Sequence, residues 1–205
     1  MLSIQGDDVT IGILNPDGSG AEMSGNGTRI AAAWLMTRIG SASARVHVGG
    51  RTVAVRRTDD GLYESELGPV EVGAPELVDG IELIPVSVGN PHAVVLDDPN
   101  RIGELGPHLE ANPRFPERTN VQVVRVERPG EVIARVWERG VGETAASGTS
   151  AVAVAAATHG EGEVVVHFPG GDLHVRLAGG RAWLTGPAEP LDELAQFGRE
   201  AGTDG

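Results

Sequence analysis

The stretch SGNGTRIAAAWLMTRIG, residues 24–40, has a counterpart in SGTSAVAVAAATHG, residues 147–160. Each places a hydroxyl and a bend of small residues at the start of an apolar, Ala-rich helix. A helix N-terminus leaves several backbone N–H groups unpaired and carries partial positive charge, so it suits a carboxylate or a phosphate. Two such starts in one chain predict one anionic ligand gripped from two sides.

The repeat runs on past the helices. VHVGGRTVAVRRTDDGLYESELGP (residues 46–69) follows the first, and VVVHFPGGDLHVRLAGGRAWLTGP (residues 164–187) follows the second. Both read strand, Gly-Gly turn, strand, turn, strand, Gly-Pro, with period-2 alternation and β-branched residues in the strands. Helix, Gly-Gly and Gly-Pro in the same order twice point to duplicated α+β lobes, with the active site between them.

With 205 residues the chain is long enough to bury a core and to form one large or two small domains. At 40% hydrophobic and 22% charged residues it reads as an ordinary soluble protein. A net charge of −13, with no Lys/Arg cluster against it, argues against a nucleic-acid or anionic-membrane surface. Arg56-Arg57, and Arg38 near Arg45, read as solvated ends of strands and helices.

No stretch approaches the roughly 18–20 apolar residues of a membrane span, and MLSIQGDDVT lacks the basic start and apolar core of a signal peptide. The cytoplasm is therefore the expected compartment. The absence of cysteine removes disulfides, thiolate metal sites and thiol-based mechanisms. The six histidines are scattered without ligand spacing, and the glycine turns carry neither a phosphate-loop lysine nor a dinucleotide fingerprint. No metal, nucleotide or flavin cofactor is expected.

Along the chain, LSIQGDDVTIGIL reads as two short strands around a Gly-Asp-Asp turn, and Asn15-Pro16-Asp17-Gly18 as a turn. Residues 28–39 have helical spacing that Gly40 stops, and strands through about residue 72 complete the first lobe. The polar segment GAPELVDG, residues 73–80, predicts a boundary. The N-terminal lobe then spans 1–78, joined in part by 188–205, and the C-terminal lobe spans 79–187. In the second lobe, IELIPVSVGNPHAVVLDD reads as two strands around Gly89-Asn90-Pro91-His92, and RIGELGPHLEANPRF carries a short helix. VQVVRVE and EVIARVWERG are further strands, and GVGETAASGT is a loop into the second helix. LDELAQF in the tail, residues 191–197, has helical spacing.

Five motifs then carry a resemblance. NPDGSGAEMSGNGTR (15–29), SVGNPHAVV (87–95), RFPERTNVQVV (114–124), VWERGVGETAASGTSAVAVAAA (136–157) and FPGG…LTGPA (168–188) resemble the diaminopimelate epimerase family, in the same order and at compatible spacing over nearly the whole chain. The resemblance implies a cofactor-independent epimerase of lysine and peptidoglycan biosynthesis that inverts one α-carbon of LL-diaminopimelate to give the meso isomer. It also implies two pseudo-symmetric lobes, each a mixed sheet wrapped around a central helix, and a homodimer. One base removes the α-proton from one face while a protonated partner returns it on the other.

In the family both bases are cysteines; the matching positions here are Ser24 and Ser147. A thiol has a pKa of about 8.5, and a serine hydroxyl lies roughly five units higher, an upper bound of about 7 kcal/mol in forming the anion. General-base catalysis expresses only part of such a difference. A Ser/Ser pair is therefore expected to be much slower unless another group serves as base.

Further roles follow from the same resemblance. His92 and Glu138 match the partners that polarise the two catalytic side chains. His92 is a candidate base in its own right or an assistant to Ser24, the alternative being a histidine that merely bonds a turn; for Glu138 the alternative is an ion pair with Arg139. The backbone N–H groups of Gly25, Asn26, Gly148 and Thr149 are placed to hold the substrate carboxylate and to stabilise charge as the proton leaves. Asn15, Asn90, Asn120, Glu138 and Arg139 match positions that recognise the distal amino acid end, supplying acceptors for an ammonium and a donor fork for a carboxylate. Glu143 and Glu22 are expected to support the two helix starts.

Family chains also carry a segment before Asn-Pro-Asp-Gly, including a Gly-Asn-Asp-Phe stretch, whereas this chain begins close to Asn15. The first lobe is thus expected to lack strands and to expose sheet edges, as a start codon assigned too late would produce. Two other functions remain open at the level of sequence. One is a related racemase, epimerase or dehydratase on another amino acid; the other is a binding protein that kept the pocket and lost the bases.

Overall fold

The computed structural model describes residues 2–12 and 24–188. Asn15 and its turn, Glu22, and the tail beyond residue 188 with its expected helix lie outside them.

The chain begins with β1 (Leu2–Gln5), β2 (Asp8–Ile11), α1 (Gly25–Ile39), β3 (Ser43–Val48), β4 (Arg51–Arg57) and β5 (Tyr63–Pro69). Next come β6 (Glu71–Val72), β7 (Glu76–Val78), β8 (Ile81–Ser87), β9 (Pro91–Leu96) and α2 (Ile102–Glu110). The chain continues through β10 (Asn120–Arg128), β11 (Glu131–Glu138), β12 (Gly142–Thr144), α3 (Gly148–Thr158), β13 (Gly162–Phe168), β14 (Gly171–Ala178) and β15 (Arg181–Gly186).

The sequence repeat is a repeat of topology. β1 and β2 pair antiparallel, β2 and β3 pair parallel across α1, and β3, β4 and β5 follow antiparallel. The second unit copies this with β10 and β11 antiparallel, β11 and β13 parallel across α3, and β13, β14 and β15 antiparallel. A parallel pair needs a crossover, and in each unit the Ala-rich helix supplies it. The β3–β4 hairpin closes on Gly49-Gly50, with φ of 54° and 76°, the doubly left-handed turn that glycine adopts without strain.

The two units join edge to edge. β5 pairs antiparallel with β15, from Gly186 opposite Tyr63 to Arg181 opposite Pro69, so the main sheet is continuous through both. α1 and α3 pack in one apolar core with residues from both units. Residues 148–156 of α3 are all buried, as an all-round apolar helix requires, and their small Ala and Val side chains let strands approach closely. α1 leaves Ile30 and Trp34 exposed. α2 forms a second apolar cluster from Ile102, Leu105 and Leu109 against β8, β9 and β10.

Residues 71–78, read as part of the N-terminal lobe, pair as β6 and β7 with β8. By strand pairing the first unit ends near Pro69. The polar, Pro/Gly-containing composition of that segment hid its backbone pairing, which Gly73 N–H extends by donating to Pro85 O at 2.8 Å. Among the described residues no helix is long and apolar enough to cross a membrane.

Candidate active site

Ser24 and Ser147 hold equivalent places. Each is the N-cap of its helix with extended backbone, φ −139° and ψ 114° for Ser24, φ −143° and ψ 129° for Ser147. The residues that follow them meet across the seam between the units. A Cβ on Gly25 would lie 2.9 Å from Gly148 Cα, and one on Gly148 would lie 3.0 Å from Gly25 Cα and 2.7 Å from the Leu184 side chain. The two helix starts therefore touch backbone to backbone.

Side chains tie the seam as well. Asn26 Nδ2 donates to Ala146 O at 3.3 Å, linking α1 to the loop before Ser147. Arg29 donates from Nη2 to Asn26 Oδ1 at 3.0 Å and from Nε to Pro187 O at 2.8 Å. It is buried, and its Nη1 has no partner among the described residues. A buried cation thus stands behind two positive helix ends, an arrangement that favours an anion between them.

The caps differ in one respect. Ser24 Oγ accepts from Gly27 N–H at 3.0 Å, whereas the Ser147 side chain makes no cap bond. In α1 the Gly25 and Asn26 N–H groups are left as helix-start donors; in α3 the same holds for Gly148, Thr149 and Ser150. Ser147, Thr149 and Ser150 are buried, which strengthens any charge interaction made there.

A second group of residues forms one end of the sheet beside α3. In the parallel register of β9 and β10, Asn120 is opposite His92. His92 is buried; Gln122 Nε2 lies 3.0 Å from its Nδ1, and Asn90 Oδ1 lies 3.0 Å from its Nε2. Burial pushes the ring's pKa down to about 3, and the nearby Arg139 charge acts in the same direction. His92, expected as a base or as an assistant to Ser24, is therefore a neutral ring with both nitrogens engaged. Asn120 is also committed on both sides: Nδ2 donates to Pro91 O at 2.9 Å, and Oδ1 accepts from Arg139 N–H at 3.0 Å.

Glu138 and Arg139 end β11. Glu138 Oε1 accepts from Thr144 Oγ1 at 2.6 Å, which fixes it to the hairpin strand leading to Ser147. Arg139 Nη1 donates to Glu117 O at 3.1 Å. Beneath this turn lies buried Glu110 at the end of α2. It accepts from Trp137 Nε1 at 2.6 Å and Gly140 N–H at 2.7 Å, and it pairs with Arg118. Glu143, expected to support the helix start, pairs with Arg135 at 2.7 Å on the sheet surface, because β12 sets it opposite Trp137 and so diagonal to Arg135 on the same face.

The structure thus brings Gly25, which follows Ser24, against Gly148, which follows Ser147, and ties Asn26 to Ala146. It joins Asn90 and His92 through Gln122 to Ser150 of the same α3 turn. The sequence reading missed Gln122, Glu110, Arg29 and Thr144. Gln122 had a signal, a lone amide within an otherwise apolar strand run; Glu110 had none beyond its place at a helix end.

The family model described as diaminopimelate epimerase matches residues 84–189. The diaminopimelate epimerase of Desulfitobacterium hafniense is 39% identical over 212 residues, covering 88% of this chain and 75% of that protein. The diaminopimelate epimerase of Pseudomonas aeruginosa is 37% identical, with 86% and 74% covered. Two solved structures share the fold. One is a hydroxyproline epimerase from Agrobacterium vitis, with TM-score 0.64, 18% identity, and 87% of this chain and 67% of that one covered. The other is a phenazine biosynthesis protein of the PhzF family from Enterococcus faecalis, with TM-score 0.65, 13% identity, and 92% and 78% covered.

Proposed function

Since this chain belongs to the diaminopimelate epimerase family, we propose that it inverts LL-diaminopimelate to the meso isomer without a cofactor, Ser24 and Ser147 occupying the two proton-transfer positions. The observation that supports the reading is the contact of Gly25 with Gly148, the residues that directly follow the two serines.

The substrate's reacting carboxylate sits against the N–H groups of Gly25, Asn26, Gly148 and Thr149. Those donors also stabilise the charge that builds up when the α-proton leaves. One serine, as its alkoxide, takes that proton while the other hydroxyl gives its own to the opposite face and is left as the alkoxide. Ser24 is the better acceptor, because the Gly27 N–H directed at its oxygen favours the anionic form. The roles exchange in the reverse direction.

The distal amino acid end lies toward Asn90, Glu138 and Arg139, with Asn15 completing the set and Asn120 holding Arg139 and Pro91 in place. His92 acts as a fixed hydrogen-bonding group, leaving proton transfer to the serines. Turnover is slow relative to a thiol pair. A small amino acid ligand, no nucleic-acid or membrane partner, a cytoplasmic location and a homodimer go with this reading; the acidic composition and the family resemblance support it.

Incubation with LL-diaminopimelate in deuterated water tests it. Deuterium at the inverted α-carbon is the expected result. Release of ammonia would instead mark an eliminating enzyme, and tight binding with no deuterium uptake a binding protein, a reading favoured by the two serines.

A further inference from the structure

Gln122 on β10 is fully buried between His92 and α3. Its Nε2 lies 3.0 Å from His92 Nδ1 and 3.0 Å from Ser150 Oγ, so both amide hydrogens have acceptors. Its Oε1 is buried and has no hydrogen-bond partner among the described residues. The reversed amide would leave two buried N–H groups without acceptors in place of one carbonyl oxygen, a greater loss. The orientation is therefore set by the His92–Ser150 pair.

An N–H directed at His92 Nδ1 requires that nitrogen to carry a lone pair, which places the ring proton on Nε2. There it donates to Asn90 Oδ1 at 3.0 Å. Turned toward the ring, the Asn90 oxygen accepts from His92, and the Nδ2 hydrogens are the end of the amide directed away from it toward the groove Asn90 lines, an opening of about 610 Å³ between β8 and the loop of Arg114 and Phe115.

We propose that Gln122 is a positioning residue that fixes His92 as the Nε2–H tautomer and so makes Asn90 present N–H donors, not its oxygen, to the ligand. The group that suits Asn90 is then a carboxylate rather than an ammonium. The inference rests on the reading above only for the identity of the ligand. Among the described residues the hydrogen-bond partners of the ring are Gln122 and Asn90, and Asn90 can act as acceptor or donor by turning its amide, so the choice falls to Gln122.

The test is a long-range proton–nitrogen correlation spectrum of the ¹⁵N-labelled chain at neutral pH, with the His92 ring assigned by its loss in His92→Asn. The expected wild-type pattern has Nε2 protonated and Nδ1 bare. A ring protonated on Nδ1 overturns the proposal, whatever any variant does. Gln122→Glu keeps the shape but substitutes an acceptor, and a proton on Nδ1 is the expected result; a spectrum unchanged from wild type overturns the assignment of control to Gln122. Calorimetric titration with LL-diaminopimelate then reads the link to Asn90, with binding at least tenfold weaker in Gln122→Glu. Equal affinity despite a switched proton overturns that link. Failure of the wild type to bind diaminopimelate would sink the substrate reading instead, and the spectrum would still decide the tautomer.

Discussion

Gly25 and Gly148 are in backbone contact, each so close that a methyl group on it would fall within about 3 Å of the other's Cα. The positive ends of α1 and α3 are thereby held against each other, a repulsive arrangement that an anion between them relieves. A functional gain explains why such a contact is tolerated in the centre of the molecule.

Gly148→Ala is expected to cost about 1–3 kcal/mol, the usual range for overpacking a filled site, because its Cβ would also meet the Leu184 side chain at 2.7 Å. It should abolish diaminopimelate binding by parting the helix starts. Urea unfolding and calorimetry check both effects; full stability together with normal binding would contradict the contact.

His92 makes stability depend on acidity. Its folded pKa of about 3 lies below the ordinary histidine value of 6.5, so between those values the unfolded chain takes up a proton that the folded chain refuses. The stability is present above pH 6.5 and is lost as pH falls toward 3, with a slope of up to about 1.4 kcal/mol per pH unit. His92→Asn should flatten that part of the profile, measured as urea midpoints across pH. An unaltered slope in the variant would assign the acid sensitivity elsewhere.

Gly89, just before Asn90, has φ of 91°, and a Cβ there would lie 1.8 Å from Arg51 Nη1. Arg51 uses that nitrogen to donate to Val88 O at 3.0 Å, tying β4 of the first unit to the Asn90 loop of the second. Gly89→Ala should therefore destabilise the fold by about 1–3 kcal/mol through strain and displaced packing, and weaken ligand binding by moving Asn90. Thermal melts and a binding titration decide it, binding at wild-type strength being the adverse result.

Glu110→Gln removes the charge that receives the Trp137 indole N–H and the Gly140 N–H beneath the Glu138–Arg139 turn. A loss of about 1.5–3 kcal/mol is expected for a hydrogen bond to a charged group, with a shift in tryptophan emission. Unchanged emission and stability would show that this carboxylate does not hold the turn.

Much of this was legible before any coordinates. The paired helix starts, the Gly49-Gly50 hairpin and the Gly-Pro strand ends are local signals, since φ preferences and caps are written in single residues. Seam pairing of β5 with β15 was not legible, because an edge-to-edge join leaves no periodic trace. The 71–78 strands were concealed for a related reason, as the Gly, Pro and acidic residues of that segment break any periodic pattern while its backbone still pairs with β8. Among site residues, the serine caps followed from sequence order, whereas the commitment of both His92 nitrogens depends on Asn90, two residues away in its own turn, and on Gln122, which the β9–β10 register brings to the ring.

The most direct measurement concerns the serines themselves. Ser24→Cys/Ser147→Cys, assayed for deuterium entering the α-carbon of LL-diaminopimelate, should exceed the wild-type rate at least about 100-fold, or about 2.7 kcal/mol in barrier. That gain would mean the binding apparatus was intact and only acidity was lacking. A correctly folded double variant that binds the substrate yet exchanges no faster would contradict proton transfer at these two positions.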